Sequence, residues 1–380
     1  MKTVKNVFDT MLTNEAIKDA FNEAKESVKK KKYPVDMDSW SEARVIKYYR
    51  RMLVNYEQKH HKPIIINDGS TNKKREIVSP SFDEVVIQHL VTEPIKQYVM
   101  KRINENAYGS IPGRGLLDAA KKVSKWLRKK KSSSTNYCLQ IDIKKFFNSI
   151  DLDILKEKIA NVIPDKSYID VVSKILSERE SGVPLGFYTS HWFAQFYLLD
   201  FDDFVCHNLK PTHYVRYMDD ILLFSNRKRA VKNMLAILTR YLKDNLNLRV
   251  KENYKIIKVS AFDDGFEYDR HTHTKHRKRK GDAIHFVGFV FRRRQTTLRK
   301  SILKKIRRKA LKIEKKGLTI RLARQFLSYY GWLKYTDTRG YYKRHIKPHV
   351  SIEAVRKYVS CYDRRKSKMK KKQKEQLNMI

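Results

Sequence analysis

The stretch Tyr214-Val215-Arg216-Tyr217-Met218-Asp219-Asp220-Ile221-Leu222-Leu223-Phe224 sets two adjacent aspartates at the centre of an otherwise apolar β-hairpin. Burying neighbouring carboxylates among β-branched and aromatic side chains is costly unless a cation compensates them. Aspartate pairs are common at plain hairpin turns, but they usually come with Gly or Asn, and neither is present. Working outward, Tyr137-Cys138-Leu139-Gln140-Ile141-Asp142 reads as a strand that ends on a carboxylate, with Phe146 and Phe147 just beyond. A Lys or Arg can pair with one acid. Two adjacent aspartates plus a third on a neighbouring strand suit divalent ions better. Mg²⁺ prefers hard oxygen ligands and retained waters, and two metals about 3.5–4 Å apart support in-line displacement at phosphorus.

These acids stand against the character of the chain. Its 380 residues carry 83 Lys+Arg and 41 Asp+Glu, a formal net charge of +42. Such a surplus repels itself in a compact state and points to a polyanionic partner. An enzyme acting on small neutral metabolites is excluded. Disorder over most of the length is excluded too, since 41% of the residues are hydrophobic and 11% aromatic. The length suits two or three packed units. Cys138, Cys206 and Cys361 are too scattered for a disulfide framework or a zinc cluster. Met1 to Lys5 shows no apolar signal core, and no run approaches about 18 apolar residues. The expectation is a cytoplasmic nucleic-acid-binding protein with no membrane partner; a basic membrane-surface protein is the competing reading.

Residues 5–60 read as helical and charged, with a basic run at Lys29–Lys32. Ile64-Ile65-Ile66, the turn Asn67-Asp68-Gly69-Ser70 and Lys74 to Pro80 form a β-hairpin pattern. Residues 82–102 have helical spacing. The Gly/Pro-rich loop Tyr108–Gly115 leads into an amphipathic helix ending at Arg128–Lys131, followed by the polar spacer Ser132–Thr135. The most apolar part spans about 137–226. A basic, His-bearing stretch at His271–Lys280 precedes the strand-like Ala283–Phe291. Further on, Leu298, Ile302, Ile306 and Ala310 recur every four residues with Lys and Arg between them, giving one core face and one phosphate-facing face. Ser328 to Tyr335 interleaves aromatics with base, suited to packing or to stacking on nucleic acid. Arg364–Lys374 holds 8 Lys/Arg in 11 residues and reads as a solvated or nucleic-acid-ordered tail. His271, His273, His276 and His285 suggest zinc only weakly: no cysteine joins them and the intervening Lys and Arg repel a cation, so a basic RNA-contacting loop is the better reading.

Tyr217-Met218-Asp219-Asp220 resembles the signature of reverse transcriptases, and Asp142 to Phe147 resembles their first catalytic motif. Gly182-Val183-Pro184-Leu185-Gly186 resembles the template- and nucleotide-facing loop between them. Lys74 to Pro80 resembles the fingers motif, and Phe286-Val287-Gly288-Phe289 the primer grip. The five blocks occur in the family's order over about residues 60–340.

The resemblance implies an α+β right-hand polymerase with an antiparallel ferredoxin-like palm sheet and a helical thumb. The corresponding boundaries are an N-terminal helical extension at 1–60, fingers at 61–136, and a palm at 137–296 with finger segments near 155–182. A thumb at 297–362 and a basic tail at 363–380 complete the chain. It implies an RNA-directed DNA polymerase in which Asp142 and Asp219 hold two Mg²⁺ ions, with Mn²⁺ as a substitute. Asp220 supports the site and the Ile143 carbonyl completes a metal shell. It further implies Phe147 as a steric gate against ribose, Lys74 and Arg75 on the triphosphate, and Leu185 and Gly186 at the nucleotide. Lys255 stands near the place of the general acid, and Arg114, Gly288, Lys300 and Arg307 contact nucleic acid. The implied partners are an RNA template (a structured non-coding RNA, by the surplus charge), a DNA or RNA primer, dNTPs and a small accessory protein.

Reverse transcriptases related to group II introns mostly carry Gln before the loop glycine; here it is Leu185. That exchange, with Ser190 four residues after Gly186, resembles the error-prone enzymes of diversity-generating retroelements, although those usually carry Gln where this chain has His191. Antiphage-defence and retron enzymes are the alternatives. From another class, a non-catalytic, maturase-like RNA binder is opposed by the intact Asp142, Asp219 and Asp220. No RNase H, endonuclease or maturase domain is expected after the thumb.

Overall fold

A computed structural model describes residues 5–27, 34–67, 74–129, 133–259, 261–269 and 274–377. The Lys29–Lys32 run, the Asp68–Ser70 turn, Lys130–Ser132, His271 and His273 lie outside the described residues. So does the side chain of His276. The chain divides into two compact units, Met1–Arg114 with Leu139–Ile256, and Gly115–Cys138 with Ile257–Ile380.

The elements follow in order: α1 (Val7–Met11), α2 (Asn14–Ser27), α3 (Glu42–Val54), the hairpin β1 (Ile64–Asn67) and β2 (Lys74–Ile77), α4 (Phe82–Arg102), β3 (Ala107–Tyr108), α5 (Leu116–Arg128) and β4 (Tyr137–Asp142). Then come α6 (Phe146–Ser149), α7 (Leu152–Val162), α8 (Lys166–Leu176), α9 (Tyr188–Tyr197), α10 (Leu199–Phe204), β5 (His213–Tyr217), β6 (Asp220–Ser225), α11 (Lys228–Leu246) and β7 (Lys255–Lys258). The remainder is β8 (Ala261–Asp269), β9 (Thr274–Lys280), β10 (Ile284–Phe286), β11 (Phe289–Arg292), β12 (Gln295–Leu298), α12 (Lys300–Lys316), α13 (Ile320–Leu333), α14 (Arg339–His345) and α15 (Ile352–Leu377).

In the first unit α4 begins at a capping box. The Ser81 hydroxyl accepts from the Glu84 amide, and the Glu84 carboxylate accepts from the Ser81 amide at 2.7 Å. Val86, Ile87, Leu90, Val91, Ile95 and Val99 are buried together with the polar Glu84, Gln88 and His89, so this helix is covered on every side over its first half and packs between α2 and α9. The sheet has strand order β3-β5-β6-β4-β7. Ile221 to Phe224 of β6 are fully buried on both faces, which accounts for their unbroken apolar run. The sheet is mixed rather than purely antiparallel, because β3 pairs parallel with β5. Two residues are too few to carry a strand periodicity, so this edge was invisible in the sequence.

In the second unit α5 packs on β11 and β12. The Ser124 and Thr296 hydroxyls meet at 2.9 Å, and Arg128 donates twice to the Asp337 carboxylate. These contacts accompany the grouping of residues 115–138, of which 115–136 were expected with the fingers, into one unit with the C-terminal helices. On α12, Ile302, Ile306, Ala310 and Ile313 form the buried stripe that four-residue spacing suggested. The basic segment after Arg364 continues the helix α15 as far as Leu377. Among the described residues no helix is long and apolar enough to cross a membrane.

Candidate active site

Asp142 ends β4, and the backbone that follows is stitched to two other segments. Ile143 donates to the Asp219 carbonyl at 3.2 Å, Lys144 to the Arg249 carbonyl at 2.8 Å, and Lys251 to the Asp142 carbonyl at 2.8 Å. Strands β5 and β6 close with Tyr217 opposite Asp220, leaving Met218 and Asp219 as the two turn residues. Met218 has φ +53, the left-handed region that a two-residue hairpin demands and that Asn or Gly would ordinarily supply. Asp219 thus sits in a hairpin turn after all, but one pinned by its own carbonyl to the end of the strand bearing Asp142, while Asp220 already belongs to β6.

Electrostatics follow from that juxtaposition. Burial, and then the charge of Asp142, pushes the Asp219 carboxyl up to about 6; its own backbone amide, Lys251 and Arg75 oppose the rise. The Lys251 ammonium forms an ion pair with Asp142. Among the described residues no three His, Cys, Asp or Glu side chains gather into a protein-only metal cage. The donor set nevertheless fits Mg²⁺, which is commonly bound by one or two carboxylates while substrate phosphates and waters complete its shell. A desolvated Asp219 carboxylate repelled by Asp142 needs cationic compensation, and one lysine supplies a single charge. Asp220, half-buried, opens β6 beside them.

Phe147 lies on the single turn of α6, half-buried, with the His191 ring packed edge-on at 5.5 Å and 82°. The Val183 amide donates to the Phe147 carbonyl at 2.8 Å. A Cβ on Gly182 would lie 2.5 Å from that same carbonyl oxygen, so only glycine lets the loop dock there. At the other end of the loop the Val78 amide donates to the Leu185 carbonyl at 2.7 Å, and a Cβ on Gly186 would lie 2.0 Å from the Val78 carbonyl oxygen. The loop 182–186 therefore bridges the end of the β1–β2 hairpin and the Phe147 turn.

Several expected residues sit elsewhere. Arg75, on β2, acts on Asp219 electrostatically, whereas Lys74 is exposed at the start of that strand. Lys255 is exposed at the start of β7; Lys251, four residues earlier, is the lysine that reaches the carboxylates. Arg114 donates to the Asn104 carbonyl at 2.8 Å and so closes its own loop. In the second unit Gly288 has φ +87, and a Cβ there would lie 2.8 Å from the Trp332 ring, which stacks on Phe289. Lys300 and Arg307 are exposed on α12, away from its buried stripe. His285 is exposed on β10. Sequence reasoning missed Lys251, and it missed Gln195 and Asp202, which lie beneath the Met218 turn. A charged Arg216 inside an apolar strand was the one signal of that buried network.

The family model described as reverse transcriptase (RNA-dependent DNA polymerase) matches residues 59–291. Retron Ec73 reverse transcriptase of Escherichia coli is 29% identical over 146 residues, which is 35% of this chain and 46% of that protein. The match thus spans about half the length of the curated relative. Among solved structures, apo telomerase from Candida tropicalis superposes with a TM-score of 0.48 at 14% identity, over 72% of this chain and 53% of that one. Telomerase from Candida albicans, in complex with a TWJ fragment of telomeric RNA, gives 0.45 at 13%, over 79% and 61%.

Proposed function

The chain belongs to the reverse transcriptase family, and from that premise we propose that it is an RNA-directed DNA polymerase of the retron type. The observation that carries this is the pairing of the Asp219 turn with the Asp142 strand, which sets a desolvated Asp219 within the field of Asp142, a few residues ahead of the Phe147 turn.

Asp142 and Asp219, with the Ile143 carbonyl and support from Asp220, would hold two Mg²⁺ ions. When bound, such ions ease deprotonation of a primer 3′-hydroxyl and neutralise charge on the triphosphate. Arg75 and Lys74, on the adjoining hairpin, offset the charge of the incoming triphosphate. The Phe147 ring excludes a ribose 2′-hydroxyl by volume, and the Leu185–Gly186 peptide forms the neighbouring wall. Lys251, paired with Asp142, is better placed than the exposed Lys255 to serve the leaving pyrophosphate. Lys300 and Arg307 supply phosphate contacts on α12, and Gly288 shapes the β10–β11 turn, its carbonyl accepting from the Arg299 amide just ahead of that helix. Arg114 acts on nucleic acid through the loop it closes.

The retron relative and the surplus charge together favour a structured non-coding RNA as template and partner, in a cytoplasmic setting, with a DNA or RNA primer and dNTPs; a small accessory protein remains compatible. Leu185 in place of Gln removes a polar contact and favours low fidelity. Leu185→Gln is expected to lower the error rate, and an unchanged error spectrum would sink that part. The main test is primer extension on an RNA template with Mg²⁺ and dNTPs. Wild type extends and Asp219→Ala does not; equal extension by both ends the proposal.

A further inference from the structure

Beneath the Met218–Asp219 turn lies a polar assembly walled off from solvent. Arg216 is 0% exposed and Asp202 1%. The guanidinium donates from Nε to Asp202 Oδ1 at 2.7 Å and from Nη2 to Oδ2 at 2.5 Å. Nη2 also donates to Gln195 Oε1 at 3.0 Å, and Nη1 to the Met218 carbonyl at 3.2 Å. The Tyr214 hydroxyl donates to Asp202 Oδ1 at 2.5 Å. Gln195, itself fully buried, spends its amide nitrogen on the Gly109 carbonyl at 2.6 Å and on the Met218 sulfur at 3.0 Å. The Met218 amide donates to the Tyr108 carbonyl at 3.1 Å.

Amide, carbonyl and sulfur of one residue are therefore all gripped, and that residue is the one with left-handed backbone next to Asp219. A non-glycine residue in that region persists only where its surroundings over-determine it. A buried ion pair is weak evidence for stability, since well-packed apolar residues often serve as well. What apolar residues cannot do is hold the Met218 carbonyl and sulfur.

We propose that Gln195 and Arg216, anchored by Asp202, are positioning residues that fix the Met218 peptide and, through it, the place of the Asp219 carboxylate. They touch neither substrate nor metal. The activity arm of the test rests on the polymerase reading above; the structural arm does not.

The experiment labels the nine methionines with ¹³C at the methyl and assigns Met218 by Met218→Leu. It then compares wild type with Gln195→Leu and with the double replacement Arg216→Met/Asp202→Leu, which leaves no orphaned charge. The Met218 signal is expected to move or split in both while the other methionine signals outside the turn stay. In single-nucleotide extension kcat falls about 10–100-fold, the scale seen when supporting groups around a metal site are lost. The dNTP KM and template–primer affinity hold within about twofold, the pattern of an interaction used in the transition state alone.

An unmoved Met218 signal in folded Gln195→Leu overturns the proposal, as does an unchanged kcat. A loss of kcat matched by equal losses in template–primer binding and thermal midpoint reduces the network to a structural one and also overturns it. If wild type fails to extend any primer, the polymerase reading falls, and the Met218 signal alone decides whether the network holds the turn.

Discussion

Replacing Gly186 by alanine tests the loop that joins the β1–β2 hairpin to the Phe147 turn. Gly186 has φ +109, and an alanine Cβ would stand 2.0 Å from the Val78 carbonyl oxygen and 2.6 Å from Ile77 Cγ2. The first neighbour is backbone and cannot rotate away. A strained φ costs of order 1–3 kcal/mol. Relief of the clash must separate the two segments and break the 2.7 Å bond from the Val78 amide to the Leu185 carbonyl. Val78 is buried, and an orphaned buried donor costs about 1–3 kcal/mol more. The total is about 2–6 kcal/mol. Gly113→Ala is the control: its φ is +72, yet nothing lies within 4 Å of the added Cβ, so it reports backbone strain without the clash. Urea unfolding followed by circular dichroism should place Gly186→Ala below Gly113→Ala by at least about 1 kcal/mol, the orphaned-donor share. Equal destabilisation of the two variants would refute the reasoning, because it would leave the contact with Val78 no energetic role.

Further outcomes concern selectivity, pH and salt. Phe147→Ala should lower the ratio of kcat/KM for dATP over ATP by about tenfold or more, while the loop, docked through the Phe147 carbonyl, keeps its place; an unchanged ratio removes the gate. His89 is buried with Nδ1 2.9 Å from Glu23, and burial holds its pKa below the ordinary value, so the unfolded chain binds the extra proton first. Stability should therefore be complete above about pH 6.5 and decline as pH falls toward the lowered folded value. His191 shifts the same way, so the quantity to measure is how far His89→Gln flattens the change in urea midpoint between about pH 7.5 and 5.5; no flattening contradicts it. Affinity for a structured RNA should fall by about 10³-fold or more between about 50 and 200 mM salt if six or more phosphates are contacted. A filter-binding titration showing little change would remove the charge argument.

The candidate site is largely readable from the residues alone. Asp142 and the Asp219–Asp220 pair were legible because carboxylates in apolar strands violate the local rule that charge stays wet, and such violations mark functional sites. The helical spacing of α4 and the four-residue stripe of α12 were legible for the related reason that each pattern is local. Lys251 was not legible. It is one of 83 Lys and Arg, and it lies 109 residues from Asp142 in the chain, so nothing near it in sequence distinguishes it from Lys255. Arg216 announced a buried charge, but Asp202 and Gln195 come from α10 and α9, and only folding brings them beneath the Met218 turn. The turn itself looked wrong for a hairpin because it lacks Gly or Asn. The tertiary structure supplies, through Gln195, Arg216 and the two-residue strand β3, the constraint that those residues would have provided from their own backbone freedom. Local periodicity and misplaced charge are written in one dimension; which cation meets which carboxylate depends on distances that exist only after the chain closes.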